Sequence, residues 1–532
     1  QQLALHSLPQ EDPAVYALLQ AADTVGVFQV ESRAQIATLP RLKPERFYDI
    51  VIEVALIRPG PIQGNSVHPF IRRKNGQEKV TYLHDLLKPA LQKTYGVPLF
   101  QEQLMQMAMD AASFSPADAD ELRRAMGSKR SVARMEALKD RLLRGMAGNG
   151  IGPDVSDQIF DKLKAFADFG FPESHAFSFA YLVYASTWLK AHHPEAFFAG
   201  LLGAQPMGFY SPASLVADAR RHGIAVRRPS VAESRVHAHV ETAAEGGSRG
   251  LSPRPTFATE TWLQDRSRLD EHARAANPTT QDDQDAPVLP DPSEQTTWPT
   301  SESDRALAIR LGLSPIRGIG DKTAQRIVEA RAQQPFLDIA DLARRAALKP
   351  AHVEALATAG ALECFGTTRR QALWSAGALA GEAGQMRVTA SGSWIQEVLE
   401  GTSVGLQAPQ LPEMTAVETA VADIWASGVS PDHHPIQFAR SRLREQKVLP
   451  VSSLVGIPEG TRIEVGGVVT HRQRPGTAHG VTFLSLEDET GMLNVVCSAG
   501  LWARYRSTAI RSRGLVVRGT VERTDGVINL LA

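Results

Sequence analysis

The spacing of the apolar residues changes along this chain, and no other feature constrains its fold more. Between residues 1 and 232 apolar side chains recur every three or four positions, as Leu138 and Leu142 do, which predicts amphipathic helices. The stretch His175–His193 is apolar almost all round, which predicts a buried central helix. From about residue 451 the period falls to two in short runs broken by glycine, which predicts a five-stranded Greek-key barrel. The expected fold class is multidomain and mainly α, with a C-terminal all-β barrel of the OB type.

A polar segment interrupts this pattern in the middle of the chain. Residues 241–303 are rich in Pro, Ser, Thr, Asp and Gln and lack periodic apolar residues, which predicts a disordered insert. Alternating apolar runs flank it, so we interpret 233–313 as two paired strands with the insert between them. A short strand is also predicted over 25–30. The remaining segments are glycine-punctuated helices over 314–365, a linker with helices over 366–450 and the barrel over 451–532.

The charge of the whole chain hides an uneven distribution. Lys and Arg minus Asp and Glu give 57 − 58 = −1 overall, but +3 for residues 1–240, −6 for 241–300 and +2 for 301–532. An acidic insert therefore separates two mildly basic bodies, which is compatible with a nucleic-acid partner.

Composition excludes several classes of protein. Two cysteines, Cys364 and Cys497, exclude a disulfide-stapled scaffold and a Cys-rich zinc module, and they fit a reducing cytoplasm. No apolar run approaches the roughly 20 residues that a membrane-spanning helix needs. The chain opens Gln-Gln-Leu, without an initiator Met or a signal-like region, and it ends directly after a barrel strand. We therefore expect a piece of a longer polypeptide, cut at both ends.

Two groups of cations are candidates for binding phosphate. Arg58 begins the sequence Arg-Pro-Gly-Pro, whose rigid turn holds the guanidinium on a fixed backbone. The run from Leu122 to Arg130 includes Arg123, Arg124 and Lys129 at a helix end rich in small residues, which would allow close approach to a triphosphate. The alternatives are an arginine in a structural turn and cations that stabilise a helix C-terminus.

The segment Phe169–His175 is a candidate anion site of another kind. A Gly/Pro turn brings Ser174 and His175 to the start of the apolar helix, where free N–H groups favour an anion. The alternative is that Ser174 simply caps this helix. A serine hydrolase is excluded, because adjacent residues cannot pair as nucleophile and base and no Gly-x-Ser-x-Gly elbow is present.

The acidic pair Asp118 and Asp120 does not fit a metal site. Both residues lie in the first turn of a predicted helix, which Ser115 caps, and at this spacing their side chains diverge by about 200°. We interpret them as structural. The adjacent His192 and His193 lack metal-ligand spacing for the same reason.

The run Ile316–Ala324 is typical of a helix-hairpin-helix. Gly318 and Gly320 allow a tight turn, after which a second helix begins with its N–H groups pointing outward. Such a turn binds one backbone phosphate without reading sequence. The residues expected at this contact are Arg317, Gly318, Gly320, Lys322, Thr323 and Arg326.

The barrel offers a second candidate surface for nucleic acid. His471, Arg472 and Arg474 lie at a predicted hairpin end, and Phe483 follows on the next strand. Basic loops beside an aromatic strand face favour single-stranded nucleic acid. A barrel with only a structural role is the alternative.

Six motifs along the chain occur in this order: 26–33, RPGP at 58–61, 100–103, RRAMGSK at 123–129, GFPESH at 170–175 and 189–197. Together they resemble the fingers region of bacterial C-family DNA polymerases, the alpha-subunit type of polymerase III. The resemblance covers nearly the whole chain apart from 241–303 and parts of 375–412. The sequences of 54–64, 204–210 and 467–475 resemble those of the error-prone, translesion branch.

The resemblance implies roles for the residues named above. Residues 1–232 would be polymerase fingers, with the incoming deoxynucleoside triphosphate held near Arg58, Arg123, Arg124, Lys129, Phe169, Ser174 and His175. The hairpin would hold duplex backbone, and the barrel, with Arg472, Arg474 and Phe483, would approach single-stranded template.

The resemblance also implies what this chain lacks. In the family, two Mg²⁺ ions are held by palm-domain aspartates, and no matching strand occurs here, so the catalytic carboxylates are expected upstream and the chain alone is expected to be inactive. Primer–template DNA and dNTPs are the expected partners, with accessory proteins linking the polymerase to the sliding clamp, since no convincing clamp-binding motif precedes the barrel. The alternatives are a replicative alpha subunit and a non-catalytic DNA-binding scaffold. The expected location is the bacterial cytoplasm, at the nucleoid.

Overall fold

The structure is a computed structural model. It describes residues 4–57, 67–125, 131–167, 171–208, 210–242, 307–383, 408–475, 478, 480–524 and 527–532. Nearly all of the insert that the sequence predicts at 241–303 lies outside these residues. The chain divides into two compact units, the first formed by 1–193, 208–211 and 434–532 and the second by 194–207 and 212–433.

The N-terminal part of the first unit is helical. Asp12 starts the first helix by accepting a hydrogen bond from the Ala14 amide, and Ser115 and Asp118 form the capping box expected from the sequence, with an Asp118 N–Ser115 Oγ distance of 3.3 Å. The helices are α1 (Pro13–Gln20), α2 (Arg33–Leu42), α3 (Phe47–Leu56), α4 (Val67–Lys74), α5 (Lys88–Leu91), α6 (Gln101–Ala112), α7 (Pro116–Ala125), α8 (Ser131–Gly148), α9 (Pro153–Ala167) and α10 (Glu173–His192).

Two local expectations for this region are corrected. Residues 25–30 form turns and not a strand, because Gly26 and Gln29 have positive φ and the Thr24 hydroxyl closes the loop onto the Val30 carbonyl at 2.9 Å. Helix α10 packs against α3 with Val183 and Trp188 buried, but its other side is exposed. The exposed large side chains of α10 are Phe177, Tyr181 and Leu182.

The second unit combines helices with a small sheet. Strand β3 (Leu307–Arg310) lies between β1 (Ala225–Arg227), which is parallel to it, and β2 (His239–Thr242), which is antiparallel. Ile316, Ile327, Leu342 and Leu356 belong to the core below the hairpin. The helices are α11 (Pro194–Gly203), α12 (Pro212–Arg221), α13 (Gly320–Gln333), α14 (Ile339–Arg345), α15 (Pro350–Thr358), α16 (Arg369–Ala383) and α17 (Ala416–Ser427).

The C-terminal part of the first unit is a closed five-stranded barrel, which confirms the OB-type expectation. Helix α18 (Arg440–Glu445) precedes it, and the strand order is β4-β5-β6-β8-β7. The barrel is not purely β, because helix α19 (Ala499–Arg511) joins β6 to β7. The strands are β4 (Arg462–Gln473), β5 (Thr482–Glu487), β6 (Met492–Cys497), β7 (Gly514–Thr524) and β8 (Val527–Leu531). Among the described residues, every helix is too short or too polar to cross a lipid bilayer.

Candidate nucleic-acid interface

The hairpin turn before α13 leaves its backbone open. Gly318 and Gly320 have φ angles of +88° and +62°, the left-handed region that favours glycine. Nothing lies within 4 Å of the position that a Cβ would take at either residue. The conformation of the turn therefore requires both glycines, and their open side leaves room for a phosphate beside the backbone amides.

Of the residues expected at this turn, the three cations are exposed, whereas Thr323 is buried. Arg317 and Lys322 are exposed on either side of the two glycines, and Arg326 follows one turn later. Thr323 is only 8% exposed, and its hydroxyl accepts a 3.4 Å hydrogen bond from Arg326. Thr323 is thus buried in the first turn of α13, where its hydroxyl helps to position the Arg326 side chain.

A second helix braces the turn through Arg317, which the sequence did not reveal. The Arg317 amide donates a 2.7 Å hydrogen bond to the Ala426 carbonyl near the end of α17. The Arg317 guanidinium lies 5.0 Å from the ring centroid of Trp425, a cation–π contact, and this ring remains 54% exposed. Helix α17 therefore holds both the backbone and the guanidinium group of Arg317 in place.

Helix α17 is itself anchored by a buried carboxylate. Asp423, 2% exposed, accepts hydrogen bonds from Arg369 at 2.7 Å and from Arg228 at 3.2 Å. Arg369 is 5% exposed, so its pair with Asp423 lies in the interior, and Ser430 adds a third donor to the carboxylate. Breaking such a buried pair leaves a desolvated charge without compensation, so Asp423 is important for the stability of this unit.

The nucleotide-binding candidates are only partly described. Arg58, Lys129 and Phe169 lie outside the described residues. Arg123 and Arg124 are exposed at the end of α7, and each guanidinium contacts Asp120 at 2.8 Å. The hydrogen bond from Arg123, with the charge of Arg124, lowers the pKa of Asp120. Exposed ion pairs are worth about 0–1 kcal/mol, so a triphosphate could replace Asp120 at little cost.

Ser174 and His175 lie in the first turn of α10, where the sequence placed an anion site. Pro172, and not Ser174, occupies the N-cap position, and both Ser174 and His175 are exposed. The His175 ring meets Phe171 and Phe179 edge-on, with centroids 5.1 and 4.3 Å away. One helix amide is already used, since Glu173 N donates to the Glu102 carboxylate at 2.9 Å.

The acidic pair of α7 does not fit a divalent ion. Asp118 pairs with Arg141 and accepts from Ser115, and the Ser115 hydrogen bonds are the main reason for its lowered pKa. Asp120 is held by two arginines, as described above. Carboxylates that are committed to guanidinium groups leave no oxygen pair facing a common metal position.

The barrel candidates differ from one another in their surroundings. The Arg472 guanidinium donates to the carbonyl oxygens of Ala509 at 2.7 Å and of Ser512 at 2.5 Å, so it caps the end of α19. Arg474 is exposed just beyond β4, and Phe483 is half-buried opposite Gln473. Of these three residues, Arg474 is the one whose charge faces solvent without such a structural commitment.

Two parts of the chain are similar to known protein domains. Residues 1–150 match the family model described as the bacterial DNA polymerase III alpha subunit finger domain, and residues 223–372 match the helix-hairpin-helix motif. The chain is 50% identical to an error-prone DNA polymerase of Nocardia farcinica over 541 residues, which cover 100% of this chain and 41% of that protein. It resembles error-prone DNA polymerases from one end to the other.

Other relatives show a similar degree of identity. An error-prone DNA polymerase of Mycobacterium tuberculosis strain H37Rv is 50% identical over 99% of this chain and 42% of its own length, and one of Corynebacterium glutamicum is 46% identical over 99% and 43%. The chain thus spans about two fifths of the length of the curated relatives it matches. The finger-domain match includes Arg58, Arg123, Arg124 and Lys129, and the hairpin match includes the turn braced by α17.

Proposed function

We propose that this chain supplies the nucleotide- and DNA-holding part of an error-prone DNA polymerase, an enzyme that extends a primer by template-directed transfer from dNTPs. The observation that carries the proposal is the open turn at Gly318 and Gly320, flanked by the exposed cations Arg317 and Lys322. Such a turn holds duplex DNA by its backbone, whatever the sequence. A contact that does not depend on sequence suits a polymerase, which must move along any template.

The fingers supply the second half of the proposal. Arg123 and Arg124 form a pair of cations on one exposed helix end, and Asp120 holds both guanidinium groups. A triphosphate carries more charge than one carboxylate and accepts bidentate hydrogen bonds, so it displaces Asp120. The other residues of the expected nucleotide site are Arg58, Lys129, Phe169, Ser174 and His175.

Chemistry in this proposal depends on groups outside the chain. Mg²⁺, held by palm aspartates of the full-length protein, would align the primer hydroxyl and stabilise the leaving pyrophosphate. Asp118 and Asp120 do not fit that metal, as their arginine partners show. The residues of this chain bind and orient the substrates.

The finer biological assignment is also a proposal. We infer that the full-length enzyme acts in translesion synthesis after DNA damage, in the cytoplasm at the nucleoid. Accessory proteins would link it to the sliding clamp. A pull-down of this chain with the clamp tests this branch, because tight direct binding would favour the replicative alternative.

Lys322→Ala tests the hairpin. Loss of one phosphate contact should reduce the slope of log affinity against log salt by about 0.9 for duplex DNA, equally for unrelated sequences. The matched control is Arg344→Ala, which removes an exposed cation of the same unit that is already paired with Asp341 at 3.0 Å. An unchanged slope, or a loss confined to some sequences, would contradict the hairpin contact.

The double variant Arg123→Ala/Arg124→Ala tests the nucleotide site in the full-length polymerase. The KM for dNTP should rise, whereas Asp120→Asn should lower it, because the two guanidinium groups are then released from their internal partner. Arg72→Ala, which breaks an exposed pair with Glu78 at 2.8 Å, is the control. Equal KM values in all four proteins would remove the assigned role, and an inactive full-length protein would favour the scaffold alternative.

A further inference from the structure

The start of helix α10 is held by the start of α6. Pro172 occupies the N-cap position of α10, and its side chain accepts no hydrogen bond from the helix. The Glu102 carboxylate instead accepts a 2.9 Å hydrogen bond from the Glu173 amide, 71 residues further along the chain. The Gln101 amide donates to the Phe171 carbonyl at 3.0 Å. Two adjacent residues of α6 therefore hold the chain on both sides of Pro172.

The start of α6 is itself fixed by a buried glutamine. Gln103 is 7% exposed, and its carbonyl oxygen accepts from the amides of Leu99 at 2.9 Å and Phe100 at 3.1 Å. Its NH2 group donates to the Ala90 carbonyl at 3.0 Å and to the Thr94 hydroxyl at 2.8 Å. These bonds use the full hydrogen-bonding capacity of a glutamine amide. The first turn of α6 is therefore a fixed support for the residues that reach α10.

Further contacts hold the first turn of α10 in place. The Tyr48 hydroxyl donates to the Glu173 carboxylate at 2.7 Å, so α3 holds the side chain of this residue as well. The Phe171 ring lies 5.1 Å from the His175 ring, centroid to centroid. Ser174 and His175, both exposed, follow directly after Glu173. The direction in which these two side chains point therefore depends on the contacts with α6 and α3.

We propose that Glu102 is a positioning residue for the incoming nucleotide. It fixes the Glu173 backbone, and the exposed side chains of Ser174 and His175 follow within the same helical turn. The inference rests on the proposed function, because it requires these two side chains to contact the nucleotide. It also gives a role to the motif at 100–103, in which Gln103 fixes the start of α6 and Glu102 holds α10.

Stability alone does not account for this hydrogen bond. Glu102 is exposed, so water would satisfy the Glu173 amide in its absence and folding would lose little. Substrate binding is more sensitive, because a misplacement of about 1 Å can cost a large factor in rate. A carboxylate acceptor also gives a stronger and shorter bond to the amide than a neutral acceptor does.

The test is primer extension by the full-length polymerase, with KM and kcat measured for dNTP. Glu102→Ala should raise KM about tenfold, the factor that a hydrogen bond to a charged group typically supplies, and should leave kcat within about twofold. Glu102→Gln should keep KM at or below the parent value, because its amide oxygen still accepts from Glu173 and no charge opposes the triphosphate. The matched control is Glu136→Ala, which removes an exposed glutamate of α8 that is paired with Lys164 and should leave KM unchanged.

A merely structural role would give a different pattern. It would lower the thermal midpoint and the fraction of active enzyme, and so the apparent kcat, without raising KM. That result would overturn the inference. A KM for Glu102→Gln as high as that of Glu102→Ala would also overturn it, because the acceptor oxygen is then not what matters.

The double variant Ser174→Ala/His175→Ala separates this inference from the proposed function. It should raise KM, and adding Glu102→Ala should raise KM no further, because Glu102 acts through these two residues. If the double variant raises KM but Glu102→Ala alone does not, only this inference fails. If the two effects multiply in the triple variant, this inference also fails. If the double variant leaves KM unchanged, the proposed contact of α10 with the nucleotide fails, and this inference fails with it.

Discussion

Replacing Asp423 by Asn should destabilise the unit that carries the hairpin. The change keeps the shape of the side chain but removes the charge that compensates Arg369, and both side chains are almost fully buried, at 2% and 5% exposure. Breaking a buried pair in this way costs about 3–5 kcal/mol. Arg369 keeps Glu363 at 3.0 Å, but that carboxylate is half exposed and compensates poorly, so the expected cost stays within this range.

The assay is thermal unfolding of the 532-residue chain. For a unit of this size 1 kcal/mol corresponds to about 2–4 °C, so the transition that includes α17 should fall by about 6–20 °C. Asp432→Asn is the matched control, because Asp432 also pairs with Arg228 but is 47% exposed, and an exposed pair is worth about 0–1 kcal/mol. Equal shifts for the two variants would refute the reasoning, as would an Asp423→Asn chain with an unchanged midpoint.

Three further outcomes are expected. Trp425→Ala should weaken the binding of duplex DNA about two- to fivefold, because an exposed cation–π contact contributes this much. The same change should have no effect in an Arg317→Ala background. Measuring duplex affinity for the parent chain, both single variants and the double variant checks this. Burial raises the pKa of Glu31 to about 7, so its contribution favours the folded state at low pH and is lost between about pH 4.5 and 7. Glu31→Gln should therefore raise the midpoint at pH 8 and flatten its pH dependence, whereas an unchanged pH profile would contradict this. Burial also holds the pKa of Glu53 well above its usual range, so Glu53→Gln should leave the midpoint at pH 7 nearly unchanged, and a large drop in a thermal scan would show that the side chain is charged.

The hairpin turn was predictable because its cause is local. Gly318 and Gly320 predict left-handed backbone within three residues, and the helix that follows begins at Gly320. Its brace was not predictable, since Trp425 is more than a hundred residues further along the chain. A tryptophan on an amphipathic helix gives no sign of which arginine it will meet.

Apolar patterning predicted the elements better than their surroundings. Period two predicted the five-stranded barrel correctly, because alternation follows directly from a sheet with one buried face. The same reasoning did not predict α19. It also predicted that α10 is buried on all sides, although Phe177 and Tyr181 are exposed. Hydrophobicity shows that a side chain prefers burial, but only the packing of the other helices decides which side is covered. At 25–30, Val27 and Val30 are buried but Phe28 is 39% exposed, and positive φ at Gly26 and Gln29 excludes a strand.

What the structure adds to the sequence is a division of the arginines by their partners. Arg472 and Arg504 look alike in a basic sequence, yet one guanidinium holds two carbonyl oxygens and the other holds none. A phosphate that binds the first must break hydrogen bonds of the fold, whereas a phosphate that binds the second displaces only water. Arg123 lies between these cases, because its partner Asp120 is only half-buried and is exchangeable. Affinity for DNA and nucleotide should therefore follow the uncommitted and exchangeable cations, and not the local density of arginine in the sequence.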